Sequence, residues 1–324
     1  MAFLQIIVDN ILPLLVFVVI GYFLDRKFHL DVSTVTKLTV NIVLPGFIFY
    51  SIYVAKLDMT MFHVFILSTL LMAIMGVMGE VIGHIFHYPA GKTQAFKNGI
   101  MFSNSGNIGI ALIGLVFTNP PFVVNGEMPY FPAASAAAAM ILVQVNMGLH
   151  SLGLYQAGIG KLTPKEALSA VFHIPVIYTL VIAFVIKYSG FDMTKTFLWP
   201  SFKVCAVALA AIVMIALGMQ IHKSRISFRD RDSWIASTLR LMGSPLLALL
   251  LLYLWHFAGV SFPPEVAQTI LIMCAVPAAV NSVLYAVEFH NCEDFATSIV
   301  MMSTILSAIT LPLTIYGARL LFPL

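Results

Sequence analysis

A polar stretch interrupts the apolar segment between residues 96 and 117. It reads Ser-Asn-Ser-Gly-Asn-Ile-Gly from Ser103 to Gly109, so all but one of its residues are Ser, Asn or Gly. These residues are weak helix formers, and each asparagine adds an amide that must find hydrogen-bond partners. Backbone groups that leave a helix inside lipid need partners from protein or from a water-filled cavity. The stretch therefore predicts a membrane helix that is broken to form a site.

A second stretch, Cys274-Ala275-Val276-Pro277-Ala278-Ala279-Val280-Asn281-Ser282, has the same character. The proline removes a helix hydrogen bond in mid-segment, and Asn-Ser follows about one turn later. Two broken helices that cross near the midplane bring half-helix N-termini together, each with unpaired N–H groups and about half a positive charge. Such a pair is an anion site that needs no Lys or Arg, and a small carboxylate is the expected ligand. The predicted substrate-binding residues are Asn104, Ser105, Gly106, Asn107, Pro277, Asn281 and Ser282. The structural alternative is that these groups satisfy one another across a helix contact.

Other polar residues are candidates for the same cavity or for a coupling cation. They are Asn41, Gln144, Asn146, Ser303 and Glu288. Amide and hydroxyl oxygens coordinate sodium in carriers, and Glu288 is the first candidate for a proton-linked carboxylate. For each residue alone, an ordinary interhelical hydrogen bond is the alternative. No cofactor is expected beyond such an ion, Na⁺ or H⁺, and no basic residue is expected at mid-span, because Arg240 is predicted to snorkel to the cytoplasmic surface.

A different chemistry is suggested by Glu80, His84 and His87, which are spaced i, i+4, i+7 on one predicted helix face. This spacing leaves open a metal site, and with it an intramembrane metal-dependent enzyme. It matches no standard zinc motif, and it precedes a Tyr-Pro-Ala-Gly-Lys turn. A hydrated helix end is therefore favoured, with no metal and no enzymatic activity. A third hypothesis is a receptor on a carrier fold. The sequence suggests no fused signalling domain, which counts against this hypothesis.

The composition defines the environment of these residues. Of 324 residues 60% are hydrophobic and only 10% are charged, whereas about 25% are charged in soluble domains. We therefore expect an integral membrane protein whose main surroundings are lipid. The net charge of +3 is too small to indicate a nucleic-acid partner.

The hydrophobic pattern predicts ten membrane-spanning helices, since each span needs about 20 apolar residues. They cover residues 4–24, 33–55, 60–86, 94–117, 132–155, 167–188, 198–221, 235–257, 265–287 and 296–321. Lys and Arg are concentrated in the loops after the first, third, fifth and seventh spans, which predicts that these loops are cytoplasmic and that both termini are outside.

Ten spans divide into two halves of five, residues 1–156 and 157–324. An odd number of spans in each half means that the second half enters from the opposite side, as in inverted-repeat transporters. The fourth and ninth spans then occupy equivalent positions, and both are interrupted. The predicted fold is an all-α polytopic membrane protein with two inverted five-helix repeats and broken crossing helices 4 and 9.

Several motifs are shared with a known family. Val276-Pro277-Ala278-Ala279-Val280-Asn281 is close to a Pro-x-Ala-x-Asn pattern. Residues 103–111 partly match Ser-Asn-x-Gly-aromatic-x-Gly-x-Pro, with Asn107 in place of the aromatic residue and Ala111 in place of the proline. Weaker likenesses are Leu12-Pro13 with Gly21-Tyr22-Phe23-Leu24, Asn41-Ile42-Val43-Leu44-Pro45, and Ala216-Leu217-Gly218-Met219. On these motifs the chain resembles the auxin efflux carrier family, especially its bacterial malonate or malate permeases.

This resemblance implies a fold like that of bile acid–sodium symporters. Spans 1, 2, 6 and 7 would form a scaffold, and spans 3–5 and 8–10 would form a transport domain that moves against it. It also implies a homodimer in the bacterial cytoplasmic (inner) membrane. The expected function is secondary transport of mono- or dicarboxylates such as malonate, malate or auxin-like acids.

Overall fold

The computed structural model of the chain describes residue 8 and residues 12–54, 59–159, 163, 175–223 and 230–324. Within these residues the regular structure consists of helices and two isolated β-bridges. Helices follow from the apolar sequence, because they pair their own backbone N–H and C=O groups where lipid offers no partner. The helices are α1 (Leu12–Phe28), α2 (Val32–Val54), α3 (Met59–Ile85), α4a (Ala90–Met101), α4b (Ser105–Val116), α5 (Phe131–Ala157), α6 (Pro175–Tyr188), α7 (Trp199–Lys223), α8 (Arg231–Phe257), α9a (Pro264–Cys274), α9b (Val280–Glu288) and α10 (Glu293–Leu321).

Six of these helices, α2, α3, α5, α7, α8 and α10, are long and apolar enough to cross a membrane. The shorter helices α4b, α6 and α9a are also apolar. The prediction of an all-helical membrane protein is therefore confirmed, whereas the count of ten spans in two inverted repeats stays a prediction. Residues 4–7 and 9–11 of the first predicted span and 167–174 of the sixth lie outside the described residues.

The described helices pack as two groups. The first contains α1, α2, α6 and α7, in which α2 contacts both α6 and α7 and α1 lies along α7. A Cβ atom at Gly21 would lie 2.1 Å from the carbonyl oxygen of Ile215, and one at Gly218 would lie 2.0 Å from that of Val18. Because no side chain fits there, the backbones of α1 and α7 touch directly, as small residues allow in membrane proteins.

The second group contains the remaining helices. Here α3 packs against α4a, α5 and α8, and α9a packs against α5, α8 and α10. The two groups meet where α4b contacts α7 and where α2 contacts α5. The helices that carry the interrupted sequences thus belong to one group, and α4b also faces the other.

Four of these helices contain a π-helical turn, at Thr39–Val43 in α2, Ser105–Gly109 at the start of α4b, Leu149–Gly153 in α5 and Leu239–Gly243 in α8. A π-turn inserts an extra residue into the helix and often lies at a functional site. The turn in α5 carries His150, and the turn in α8 carries Arg240. Both residues interact with the broken helices.

Candidate functional site

The two broken helices are joined at their breaks. Helix α4 is unwound between Met101 and Ser105, and α9 is unwound between Cys274 and Val280. The unwound segments form an antiparallel bridge in which the Asn104 N–H donates to the Pro277 carbonyl at 2.8 Å and the Ala279 N–H donates to the Phe102 carbonyl at 2.9 Å. Backbone groups freed by weak helix formers and by a proline are thus paired with each other, as a membrane interior requires.

A third helix closes this pairing. The Ser303 hydroxyl of α10 accepts a hydrogen bond from the Ala278 N–H at 3.1 Å and donates to the Val300 carbonyl at 3.1 Å. Ser303 is fully buried. The sequence predicted Ser303 as a possible cavity or cation-coupling residue; in the structure both of its hydrogen bonds are to the protein backbone.

The carbonyl ends of α4a and α9a are capped by Arg240, which is only 3% exposed. Its Nη1 donates to the Ile100 carbonyl at 2.9 Å, its Nε to the Val276 carbonyl at 3.1 Å and its Nη2 to the Cys274 carbonyl at 2.5 Å. A positive charge complements the negative C-terminal ends of helices. Within the part of the chain that the structure describes, no acidic side chain forms an ion pair with it.

This arrangement corrects the prediction for Arg240. We expected the side chain to snorkel to the surface and the crossing to contain no basic residue. Instead the π-turn of α8 directs the guanidinium inward, to the carbonyl ends of both half-helices. The sequence signal was an arginine within an apolar run, which alone does not distinguish the two outcomes.

A small cavity of about 20 Å³ lies beside Arg240, between α3, α5 and the breaks. Ser103, Gln144 and Met72 are among its lining residues. Gln144 is buried and donates from Nε2 to the Met72 sulfur at 3.2 Å. A cavity of this size holds about one water molecule, so it is too small for an organic substrate.

The N-terminal ends of α4b and α9b are left open. Neither the residue before α4b, Asn104, nor the residue before α9b, Ala279, forms a side-chain cap. The first N–H groups of a helix have no partner within it, and the helix dipole adds positive potential there. Because the breaks are bridged, the two uncapped N-termini lie on either side of one short antiparallel contact.

Side chains add further donors at these ends. Asn104 is 6% exposed, and its buried Nδ2 atom has no hydrogen-bond partner among the described residues. Ser105 is hydrogen-bonded to Ser103 at 2.5 Å, and Ser282 donates to the Ala279 carbonyl at 2.6 Å. A buried amide that lacks a partner is costly, so it indicates a group that awaits a ligand or a water molecule. Gly106, Asn107 and Asn281 are partly exposed.

The remaining predicted residues are spread over several helices, and not all of them lie at the crossing. Asn41 is exposed, donates to the Lys37 carbonyl at 2.8 Å and lines a cavity of about 460 Å³ between α2, α6 and α7. Asn146 is partly exposed on α5, and Glu288 is exposed as the last residue of α9b. The structure therefore brings Ser303 and Gln144 to the crossing, but it places Asn41 in the other packing group.

The Glu80, His84 and His87 cluster does not form. Helix α3 ends at Ile85, so His87 lies beyond it, in a left-handed conformation with φ +54°. Glu80 pairs instead with Lys97 of α4a at 2.7 Å. Within the described residues no group of three or more His, Cys, Asp or Glu is arranged to hold a metal ion. The prediction of one helix face shared by all three residues, which suggested a metal site, is therefore wrong, because α3 ends before His87.

Comparison with known proteins identifies relatives along nearly the whole chain. The sequence profile of a family described as membrane transport protein matches residues 6–167 and 161–315. An uncharacterized transporter of Methanothermobacter thermautotrophicus is 25% identical over 314 residues, which cover 94% of this chain and 96% of the relative. The uncharacterized transporter YfdV of Escherichia coli K12 is 24% identical over 329 residues, which cover 98% and 99%.

Proposed function

The chain belongs to the membrane transport protein family, the auxin efflux carrier family, and from this premise we propose that it is a secondary carrier of small organic anions. The substrate class is mono- or dicarboxylates such as malonate, malate or auxin-like acids. The substrate carboxylate is held where α4b and α9b begin, by backbone N–H groups together with Asn104, Asn107 and Asn281.

One observation carries this proposal. The two half-helix N-termini at the crossing lack side-chain caps, while the buried amide of Asn104 beside them lacks a partner. An anion supplies acceptors to all of these donors at once and interacts favourably with both helix dipoles. A neutral ligand gains much less from the same groups.

Transport proceeds by alternating access in this proposal. The group α1, α2, α6 and α7 acts as the scaffold, and the group α3–α5 and α8–α10 carries the site across the membrane. The separate packing of the two groups supports this division, as does the contact of α4b with α7 along their boundary. In this proposal the chain consists of two inverted repeats, residues 1–156 and 157–324, in which the two crossing helices occupy equivalent positions.

The arrangement of Arg240 bears on the coupling ion. In sodium-coupled carriers, unwound carbonyls and half-helix C-termini coordinate the sodium ion. Here the carbonyls of Ile100, Cys274 and Val276 are already bonded to a guanidinium. We therefore propose that transport needs no sodium at the crossing, because a tethered cation takes its place.

The cellular setting is proposed from the resemblance. The carrier lies in the bacterial inner membrane with both termini outside, and two copies associate through their scaffolds. The large apolar side chains exposed on α6 and α7, such as Val185 and Val207, suit contact with lipid or with a second copy.

The direct test is a stabilisation screen of the purified protein with carboxylates, their neutral amide analogues, and added or omitted sodium. A ligand that binds the folded protein raises its melting temperature. We expect at least one carboxylate, but not its amide, to stabilise the protein without sodium, and Asn281→Ala to weaken the effect. Equal stabilisation by acid and amide, or an unchanged affinity in Asn281→Ala, would contradict the proposed site.

A further inference from the structure

A histidine and a tyrosine inside the helix bundle are paired near the crossing. His150 lies in the π-turn of α5, and its Nδ1 atom forms a short hydrogen bond with the hydroxyl of Tyr285 on α9b. The two rings are arranged edge to face with their centroids 5.8 Å apart. Both side chains are partly buried, and the structure records no partner for His150 Nε2 among the described residues.

The pair is close to the proposed anion site. Tyr285 lies four residues after Asn281, so the two side chains are on the same face of α9b and about one helical turn of 5.4 Å apart. Helix α9b packs against the π-turn and the end of α5, which fixes His150 beside it. An ionisable side chain inside a membrane bundle is costly, and by default it indicates function.

We propose that His150 binds a proton together with the anion, so that the carrier moves its carboxylate substrate in symport with H⁺. This inference rests on the proposed function, and it names the coupling ion that the sequence left open. It assigns the proton to an imidazole on α5 instead of to Glu288, the carboxylate expected from the sequence.

The hydrogen bond explains how protonation reaches the site. Neutral imidazole carries one N–H, so Tyr285 either donates to Nδ1 or accepts from it. Protonated imidazole donates from both nitrogens, which makes the Tyr285 oxygen the acceptor and frees its O–H hydrogen for another partner. The freed hydroxyl lies about one turn from Asn281, and the new positive charge lies beside that hydroxyl, so both favour a bound anion.

The neighbouring charged groups are consistent with this role. Glu288, one turn beyond Tyr285 on α9b, is exposed. The cations of α4a are engaged elsewhere, since Lys97 pairs with Glu80 of α3 and Lys92 with Asp232 of α8. His84 of α3 is exposed, and Tyr155 follows on α5 itself.

The test measures fumarate binding to the full chain in lipid nanodiscs between about pH 8 and about pH 5.5, a range that extends well below the ordinary imidazole pKa of about 6.5. Fumarate stays doubly ionised over this range, so changes in affinity report the protein. Two charges about 10 Å apart in an effective dielectric of about 20 are coupled roughly tenfold. We expect wild-type affinity to rise about tenfold from the higher to the lower pH.

Three variants separate the possible causes. His150→Gln keeps a hydrogen-bonding side chain for Tyr285 but does not titrate, so we expect pH-independent affinity near the wild-type value at pH 8. Tyr285→Phe keeps the imidazole but removes the hydroxyl, so we expect the pH dependence to persist with a smaller amplitude. Glu288→Gln is expected to retain it as well, and loss of the pH dependence in Glu288→Gln alone would move the proton site to Glu288 and overturn the inference.

Proton movement provides a second readout that does not depend on any variant. Proteoliposomes loaded with a pH-sensitive dye should acidify inside as fumarate enters. Fumarate uptake without acidification, or an unchanged pH dependence in His150→Gln, overturns the proton coupling while leaving the anion site intact. Failure of the wild type to bind fumarate or any carboxylate of the screen at either pH contradicts the proposed function, and the coupling fails with it.

Discussion

The two polar faces of the crossing are completed in opposite ways. At the carbonyl face, one buried guanidinium satisfies the ends of both half-helices. At the N–H face, both half-helices begin without a cap, and Asn104 keeps a buried donor that has no partner among the described residues. An unsatisfied buried donor costs about 1–3 kcal/mol, which a ligand recovers on binding. The protein itself thus satisfies the carbonyl face, and we propose that the N–H face binds a ligand.

The largest effect should come from breaking the carbonyl face. Arg240→Met removes the shared cap and leaves buried helix-end carbonyls without partners. We expect the free energy of unfolding to fall by about 3–5 kcal/mol. Thermal or denaturant unfolding of the purified protein in detergent measures this loss.

The control for that change keeps the charge. Arg240→Lys supplies a point charge that reaches fewer carbonyls, so it should recover part of the lost stability. Wild-type stability in Arg240→Met would mean that the guanidinium does not hold the half-helices together.

At the N–H face the effect should fall on binding instead. Asn104→Ala removes a buried donor that has no partner among the described residues, so the stability should not fall while carboxylate affinity falls about 10–100-fold. Asn98→Ala is the matched control, because this buried asparagine of α4a already donates to the Gly153 carbonyl at 3.0 Å. The Asn98→Ala variant should lose stability and keep its carboxylate affinity. Loss of affinity in Asn98→Ala together with loss of stability alone in Asn104→Ala would refute the assignment of the two faces.

The space at the N-terminus of α4b is tested by two glycines of the same helix. Among the described residues, a Cβ at Gly106 would meet the Leu142 side chain alone, at 3.4 Å, and one at Gly114 would meet nothing within 4 Å. Gly106→Ala should therefore fold normally but reduce carboxylate affinity about tenfold, equal to about 1.4 kcal/mol. Gly114→Ala should bind as the wild type does, and equal affinities in the two variants would place the ligand elsewhere.

The smallest effect concerns the bond that fixes the bridge itself. Ser303→Ala leaves the Ala278 N–H without its acceptor and should lower the free energy of unfolding by about 1 kcal/mol. Ser307→Ala is its control, because that hydroxyl donates to the Thr304 carbonyl of its own helix. Melting temperatures of the two variants should differ, and identical values would show that Ser303 contributes nothing to the bridge.

Much of the N–H face could be predicted from the sequence. Runs of Ser, Asn and Gly, or a proline followed by Asn-Ser, weaken a helix locally. Helix propensity depends on residues that are neighbours in sequence, so it can be predicted from the sequence alone. The breaks at 102–104 and 275–279 accordingly lie within or beside the two predicted stretches. Residues 277–281 resemble a known motif, and this resemblance indicated the same family that the profile match shows.

The carbonyl face could not be predicted, for a physical reason. Arg240 reaches α4a and α9a only because α8 passes behind both breaks, which is a property of packing. His150 was overlooked for the same reason, since its partner is 135 residues away in sequence. The prediction that Glu80 and His87 share a helix face was wrong for a local reason, because α3 ends at Ile85.

The central claim is that a carboxylate binds between the N-termini of α4b and α9b. Crystals grown with bromofumarate test it most directly, since the anomalous signal of bromine locates the ligand. We expect a carboxylate oxygen within about 3 Å of Asn104 Nδ2 or of the first backbone nitrogens of α4b and α9b. A bromine site away from these N-termini, for instance in the cavity between α2, α6 and α7, would contradict the account.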